Sequence, residues 1–221
     1  VLRNDMMPTG KNFRIHGTDK EKTKLTVPAS LYSENGGVTL ENLTYTVPTG
    51  LEYNEHAFGY IQRVKNVEIK NCIIDGSLRL NIVNGGVANI EGCTFNVNTK
   101  NGFDGYGLFY YAASGSTVNV KDCVFNTMGK AIVLYNESPQ VYILNVDNCT
   151  FVASASQTSD KCAIQMHTEW GISGIVRINN CTATRFLDKN RGLWNELNNN
   201  TKVETYKFNI FVDGVQVHTA Q

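Results

Sequence analysis

Apolar and polar residues alternate with a period of two along most of this chain, and one recurring phrase keeps the alternation in phase. Its fullest copy is LNVDNCTFV, Leu144 to Val152. Others read VTLENLTYT from Val38, VEIKNCIID from Val67, ANIEGCTFN from Ala88, VNVKDCVFN from Val118 and VRINNCTAT from Val176. In each, a small polar residue precedes a Cys (Leu43 in the first copy), and an aromatic or apolar residue usually follows two places later. A second strand-like run precedes the later copies: SLRLNIVN from Ser77, GLFYYAAS from Gly107, AIVLYNES from Ala131 and CAIQMHTE from Cys162. GLWNELN from Gly192 is a last example that lacks its Cys phrase. This alternation predicts strands, and no segment carries the 3.6-residue period of a helix.

Repetition on this scale predicts a solenoid, in which each unit buries its apolar face only by stacking on the next. Leu43, Cys72, Cys93, Cys123, Cys149 and Cys181 are separated by 29, 21, 30, 26 and 32 residues. A helical repeat keeps a nearly fixed length, whereas stacked strands tolerate loops of different sizes. One pass is then a strand such as AIVLY, a loop, a strand such as LNV, a tight Asp-Asn turn and a short strand such as CTF. Passes rise by about 4.8 Å, the separation of paired strands, and six or seven of them make a rod on the order of 30 Å long. Crossovers between parallel strands are right-handed in about 98% of cases. The expected fold is all-β, a single right-handed parallel β-helix over residues 1–200. Leucine-rich repeats are denser in Leu and carry a helical segment in each unit, and a β-sandwich would not keep Cys in one phase.

At the ends the pattern changes. Val1 to Lys11 have no clear period, and two strand-like runs, Phe13 to His16 and Thr23 to Val27, flank a polar turn. The strand edge before them calls for a cap or a further domain upstream of Val1. KFNIFVDGVQV, from Lys207, alternates on both sides of Asp213-Gly214, a strong hairpin signal. Residues 201–221 are therefore expected to form a C-terminal strand or hairpin cap.

Composition narrows the classes. The formal net charge is 0, and only 18% of residues are charged, with no basic block to meet nucleic acid. No apolar run approaches the roughly 20 residues that span a bilayer. The chain begins at Val1 without an initiator Met, as a trimmed or mature fragment would, and export fits such processing. Five of the 6 cysteines share one phase of the repeat. Stacked parallel side chains fit the disulfide dihedral poorly, so these are expected to be buried thiols acting as small hydrophobes. Cys162, out of phase, is the one a disulfide would involve. Asn42, Asn71, Asp122, Asn148 and Asn180, with Gly92, precede the Cys positions. Asn and Asp tolerate left-handed backbone angles and bond nearby amides, which predicts an Asn ladder and makes the glycosylation-like triplets at Asn42, Asn148 and Asn180 incidental.

Together, AIVLYNES…LNVDNCTF and CAIQMHTE…VRINNCTA resemble the parallel β-helix repeat of the pectate-lyase-like superfamily, over roughly Phe13 to Asn200. The resemblance implies an extracytoplasmic bacterial protein that handles polysaccharide: secreted, periplasmic or at the cell surface. The family includes lyases, polygalacturonases, methylesterases, phage tailspikes and adhesins. Its catalytic signatures do not carry over. His16-Gly17 precedes the first complete repeat, Arg177-Ile178 is followed by Asn179, and no Asp-Asp or Asn-Thr-Asp occurs. Calcium-dependent lyases gather acidic residues on one face, and no such cluster is seen, since Asp104 and Asp160 fall in loops. No cofactor is called for; Ca2+ stays open.

If Leu108 and Tyr110, Ile132 and Leu134, and Ile164 and Met166 point inward, their neighbours point outward. That predicts one outer column of Phe109, Val133, Gln165 and Trp194. A second would hold Tyr111, Tyr135, His167 and Glu196, with Arg79 and Asn81 one pass below. Rings beside hydrogen-bonding groups suit a sugar chain, and the resemblance implies substrate along this same face. His167, near Tyr135 and Glu169, is the leading acid–base candidate, with Tyr135 and Glu196 behind it. His16, His56 and His218 do not converge with it, so no metal site is expected. The expected function is non-catalytic or adhesin-like recognition of a polysaccharide or glycan. The alternatives are a polysaccharide lyase or glycoside hydrolase on that face, and a structural stalk that binds protein.

Overall fold

The computed structural model describes residues 10–26, 31–47, 59–97, 106–111, 113–154, 161–198, 200–201 and 203–221. Val1 to Thr9, His56, Asp104 and Asp160 lie outside them. The protein is all-β, and its described residues form a 14-stranded sheet and a 7-stranded sheet. Among them every pairing of named strands is parallel except that of the last two.

The chain visits three ladders in a fixed order. One pass runs Ile132–Leu134, Val141–Asp147 and Thr150–Ala153, and the next runs Ile164–His167, Ser173–Asn179 and Thr182–Thr184. Each strand pairs in register with its counterpart: Ile132 with Ile164, Leu144 with Val176, Thr150 with Thr182. The first two ladders form one curled sheet, because Gly59–Lys70 and Leu78–Glu91 run through both. Between them the ladder slips at Gln62, Val64 and Asn66, where Arg63 takes a φ of 56°. A bulge of this kind bends a strand.

The interior holds one continuous core. Leu78, Leu80, Leu108, Tyr110, Ile132, Leu134, Ile164 and Met166 have no exposed surface, as the alternation predicts. Rings stack between passes: Phe95 on Phe125 at 4.4 Å, Phe125 on Phe151 at 5.3 Å, and Tyr110 on Tyr142 at 4.5 Å. The six cysteines are buried free thiols, Cys162 included. Each ladder thiol bonds the carbonyl two residues before it, as Cys123 Sγ does to Lys121 O at 3.1 Å. Hydrogen bonds that Cys72, Cys123 and Cys181 donate to the neighbouring Cys93 and Cys149 thiols, with burial, hold them above the usual thiol range.

The residues before the Cys positions do what their type predicts. Asn42, Asn71, Asp122, Asn148 and Asn180 take φ between 49° and 54°. Their amides join passes, Asn71 Nδ2 to Asn42 Oδ1 at 2.7 Å and Asn180 Nδ2 to Asn148 Oδ1 at 2.9 Å. Asn148→Ala is expected to cost about 1–3 kcal/mol, the left-handed penalty for an L-residue plus lost hydrogen bonds. Asn148→Gly should recover most of the backbone part, and urea unfolding of the two variants would measure the difference.

At the C-terminal end, Phe208–Val212 adds a further parallel strand beside Ser173–Asn179, and Val215–His218 returns antiparallel around Asp213-Gly214. The hairpin therefore extends the larger sheet.

Candidate functional site

The outer side of the first ladder can be built pass by pass. Register aligns Tyr60, Arg79, Phe109, Val133, Gln165 and Asn195 in one column. Gln62 pairs with Asn81 below the second column. Tyr111, Tyr135 and His167 follow the aligned residues Tyr110, Leu134 and Met166 and so continue that column. The predicted order of Phe109, Val133 and Gln165 beside Tyr111, Tyr135 and His167 is thus reproduced through three passes.

The last pass departs from prediction by one residue. Trp194 pairs with Ile164 and Glu196 with Met166, so both belong to the interior columns, and Asn195 takes the place expected for Trp194. The strand is preceded by a tight turn in which Asn190, Arg191 and Gly192 all have positive φ. A shift of one residue turns every side chain to the opposite face. Trp194 is 5% exposed and Glu196 is fully buried.

Glu196 is a structural acceptor. Its carboxylate accepts the backbone N–H of Lys207 and of Phe208 (3.0 Å) and the Thr205 hydroxyl (3.0 Å). His218 Nε2 lies 3.1 Å away. The carboxylate occupies the interior column above Met166 and gathers the donors of the segment that crosses to the final strands.

The outer column is also less open than predicted. Phe109 (4%), Val133 (1%) and Gln165 (0%) are buried, with Tyr106 in the same apolar cluster and Tyr60, Tyr111 and Tyr135 packed against it. Partly exposed are Arg79, Tyr111 and Tyr135, with Trp170 beyond them 48% exposed. These four form the accessible strip. Arg79 Cζ sits 3.9 Å from the Tyr111 ring, and the Tyr111 and Tyr135 rings are 6.2 Å apart. Burial raises the Tyr135 phenol above its usual range, opposed by a hydrogen bond from the Trp170 side chain. Tyr135 therefore stays protonated at neutral pH and presents a hydroxyl rather than a phenolate.

His167 lies beside this strip with both ring nitrogens turned toward protein groups. Its Nε2 lies 3.2 Å from Lys130 Nζ, and its Nδ1 lies 3.5 Å from Glu169 Oε1. The Lys130, His167 and Glu169 side chains are all nearly fully buried. Both ring nitrogens face protein groups, so the chain Glu169–His167–Lys130 orders the floor beneath Tyr135. The edge of the His167 ring meets the Tyr135 ring at 6.0 Å.

Sequence reasoning missed Tyr60, Tyr106, Lys130 and Trp170. Tyr60 lies opposite Arg79 once the register is known, whereas Lys130 and Trp170 sit in connections that alternation does not address. A cleft of about 510 Å³ opens elsewhere, between Asn180–Ala183, Leu193, Arg191 and Asp213. Among the described residues no group of three or more His, Cys, Asp or Glu is arranged to hold a metal ion, and no helix is long and apolar enough to cross a membrane.

Comparison of the chain with protein families, with curated proteins and with solved structures finds no match. The class that the coordinates define is an all-β protein of stacked parallel strands.

Proposed function

We propose that the chain is a right-handed parallel β-helix of the pectate-lyase-like type that binds a polysaccharide or glycan without cleaving it. The supporting observation is the strip of Arg79, Tyr111, Tyr135 and Trp170, which crosses successive passes with the Tyr111 and Tyr135 rings 6.2 Å apart. Tyr rings offer an apolar face to sugar C–H groups while their hydroxyls hydrogen-bond. The floor of Phe109, Val133 and Tyr106 holds the rings in place, which lowers the ordering cost of binding. An exposed strip suits a chain-like ligand that runs across the passes. On this reading the protein works outside the cytoplasm, at a bacterial surface or in secreted form, and residues 201–221 close the C-terminal end.

The non-catalytic part rests on His167, whose ring nitrogens face Lys130 and Glu169, and on Glu196, which is interior. The test is affinity-gel retardation against acidic and neutral polysaccharides, with new reducing or unsaturated ends scored alongside. Retardation without cleavage is expected. Tyr111→Ala combined with Tyr135→Ala should weaken it by roughly 30-fold or more, from about 2 kcal/mol for a hot-spot ring. Cleavage that is lost in His167→Ala would favour an enzyme instead. Retention of the tag-free chain by none of the polymers would leave a structural rod.

A further inference from the structure

The guanidinium of Arg79 sits among three rings: its Cζ is 3.9 Å from the Tyr111 centroid, 5.2 Å from Tyr60 and 5.4 Å from Phe109. Its Nη1 donates to the Tyr60 hydroxyl at 3.3 Å, and its Nε is buried with no hydrogen-bond partner. No carboxylate among the described residues lies within ion-pair distance of it. Arg14 pairs with Glu41, Arg63 with Glu34 and Arg191 with Asp213, and all three are more exposed. Arg177 and Arg185 also lack a carboxylate partner among the described residues, but both are exposed and donate to Asn145 Oδ1 and Ser154 O. Arg79 is the most confined of these cations. Ring faces compensate part of its lost hydration, but a buried donor left unsatisfied is costly. The arrangement is a guanidinium caged by rings with no anion beside it among the described residues.

We propose that Arg79 receives a sulfate ester carried by a glycan. The proposal rests on the glycan reading of the strip. A guanidinium is planar, presents parallel donors that fit an oxyanion two at a time, and is more weakly hydrated than an ammonium. Packing among rings strips it of water further. A sulfate ester spreads one charge over three oxygens and is itself weakly hydrated, so bringing the two together removes little solvation. A carboxylate concentrates the same charge on two oxygens and gives up more water to reach the cage. Tyr111, which stacks on the guanidinium, and Tyr135, 6.2 Å beyond it, then lie under the sugar that bears the ester. The net charge of 0 gives the chain no general attraction for polyanions, so a preference for sulfate has to come from a site.

The test uses one backbone with three substituents: dextran, carboxymethyl-dextran and dextran sulfate of equal charge density, in affinity gels at fixed ionic strength. Dextran sulfate should retard the full chain about tenfold or more above the other two, as one charge-assisted bidentate contact allows. That preference should vanish in Arg79→Gln and also in Arg79→Lys, which keeps the charge and loses the fork. Arg177→Gln, a surface control, should retain it. Methyl sulfate should raise the Tm of the wild type and not of Arg79→Lys, which separates binding from any folding defect. Equal retardation by carboxymethyl-dextran, or a sulfate preference that survives Arg79→Lys, would overturn the assignment. Should neutral polymers bind through Tyr111 and Tyr135 with no preference for sulfate, the sulfate site falls and the glycan reading stands. If dextran sulfate and every other polymer fail, both fall.

Discussion

Glu196→Ala is expected to lower stability by about 3–5 kcal/mol, because several donors gathered on one fully buried side chain lose their acceptor together. For a chain of this size that is a Tm lower by roughly 6–20 °C. The reason lies in what the carboxylate holds. Without it the amides of Lys207 and Phe208 and the imidazole of His218 lose their acceptor. His218 is also packed between Trp194, at 5.2 Å, and Tyr206, at 4.7 Å. The damage should therefore begin in Phe208–Val212 and Val215–His218, and amide exchange there should quicken before the rest of the chain responds. Glu196→Gln keeps one carbonyl oxygen and should cost about half as much. An unchanged Tm in Glu196→Ala, with altered glycan binding, would return Glu196 to the outer face and contradict the register.

Phe125→Ala is the second large effect, about 3–5 kcal/mol for truncating a fully buried aromatic ring. Phe125 is the middle of a three-ring stack and touches Phe95 on one side and Phe151 on the other. In a stacked architecture each unit is stabilised by its immediate neighbours, so a gap in the middle is felt in two directions. Phe151 has Phe125 on one side but only Ala183 on the other. Phe151→Ala should accordingly cost less than Phe125→Ala, and Phe125→Leu less than either. Urea unfolding of the three variants would rank them. Equal losses at positions 125 and 151 would mean that the passes do not couple through this column.

The parts of the fold that repeat were legible because they are local. Alternation assigned Leu108, Ile132 and Ile164 to the interior, and the Asn and Asp residues before the Cys positions were read as left-handed turn residues that bond along the stack. Both assignments need only a two-residue period and the backbone preferences of single residue types. The Tyr111–Tyr135–His167 column followed from the same phase.

The final pass was not legible in this way. GLW at Gly192 resembles GLF at Gly107, and alignment by resemblance puts Trp194 and Glu196 outside. Left-handed angles at Asn190 and Arg191 precede this strand, and although Asn tolerates them, nothing in the sequence ties such a turn to a shift of one residue.

Burial of the outer face belongs to the same category. A period of two tells which residues share a side, and it does not tell whether that side meets water. Phe109 and Gln165 are covered, and His167 meets Lys130 across 37 residues of sequence. The sequence by itself determined the class, the inward columns and the turn ladder, because short-range alternation and backbone preference suffice for these. Only the tertiary structure decided that Glu196 is an interior anchor, that His167 is held between Lys130 and Glu169, and that Arg79 stands in a cage of rings. Those are contacts between distant segments, and their energies depend on which groups the stacking brings together rather than on any residue's own neighbours in the chain.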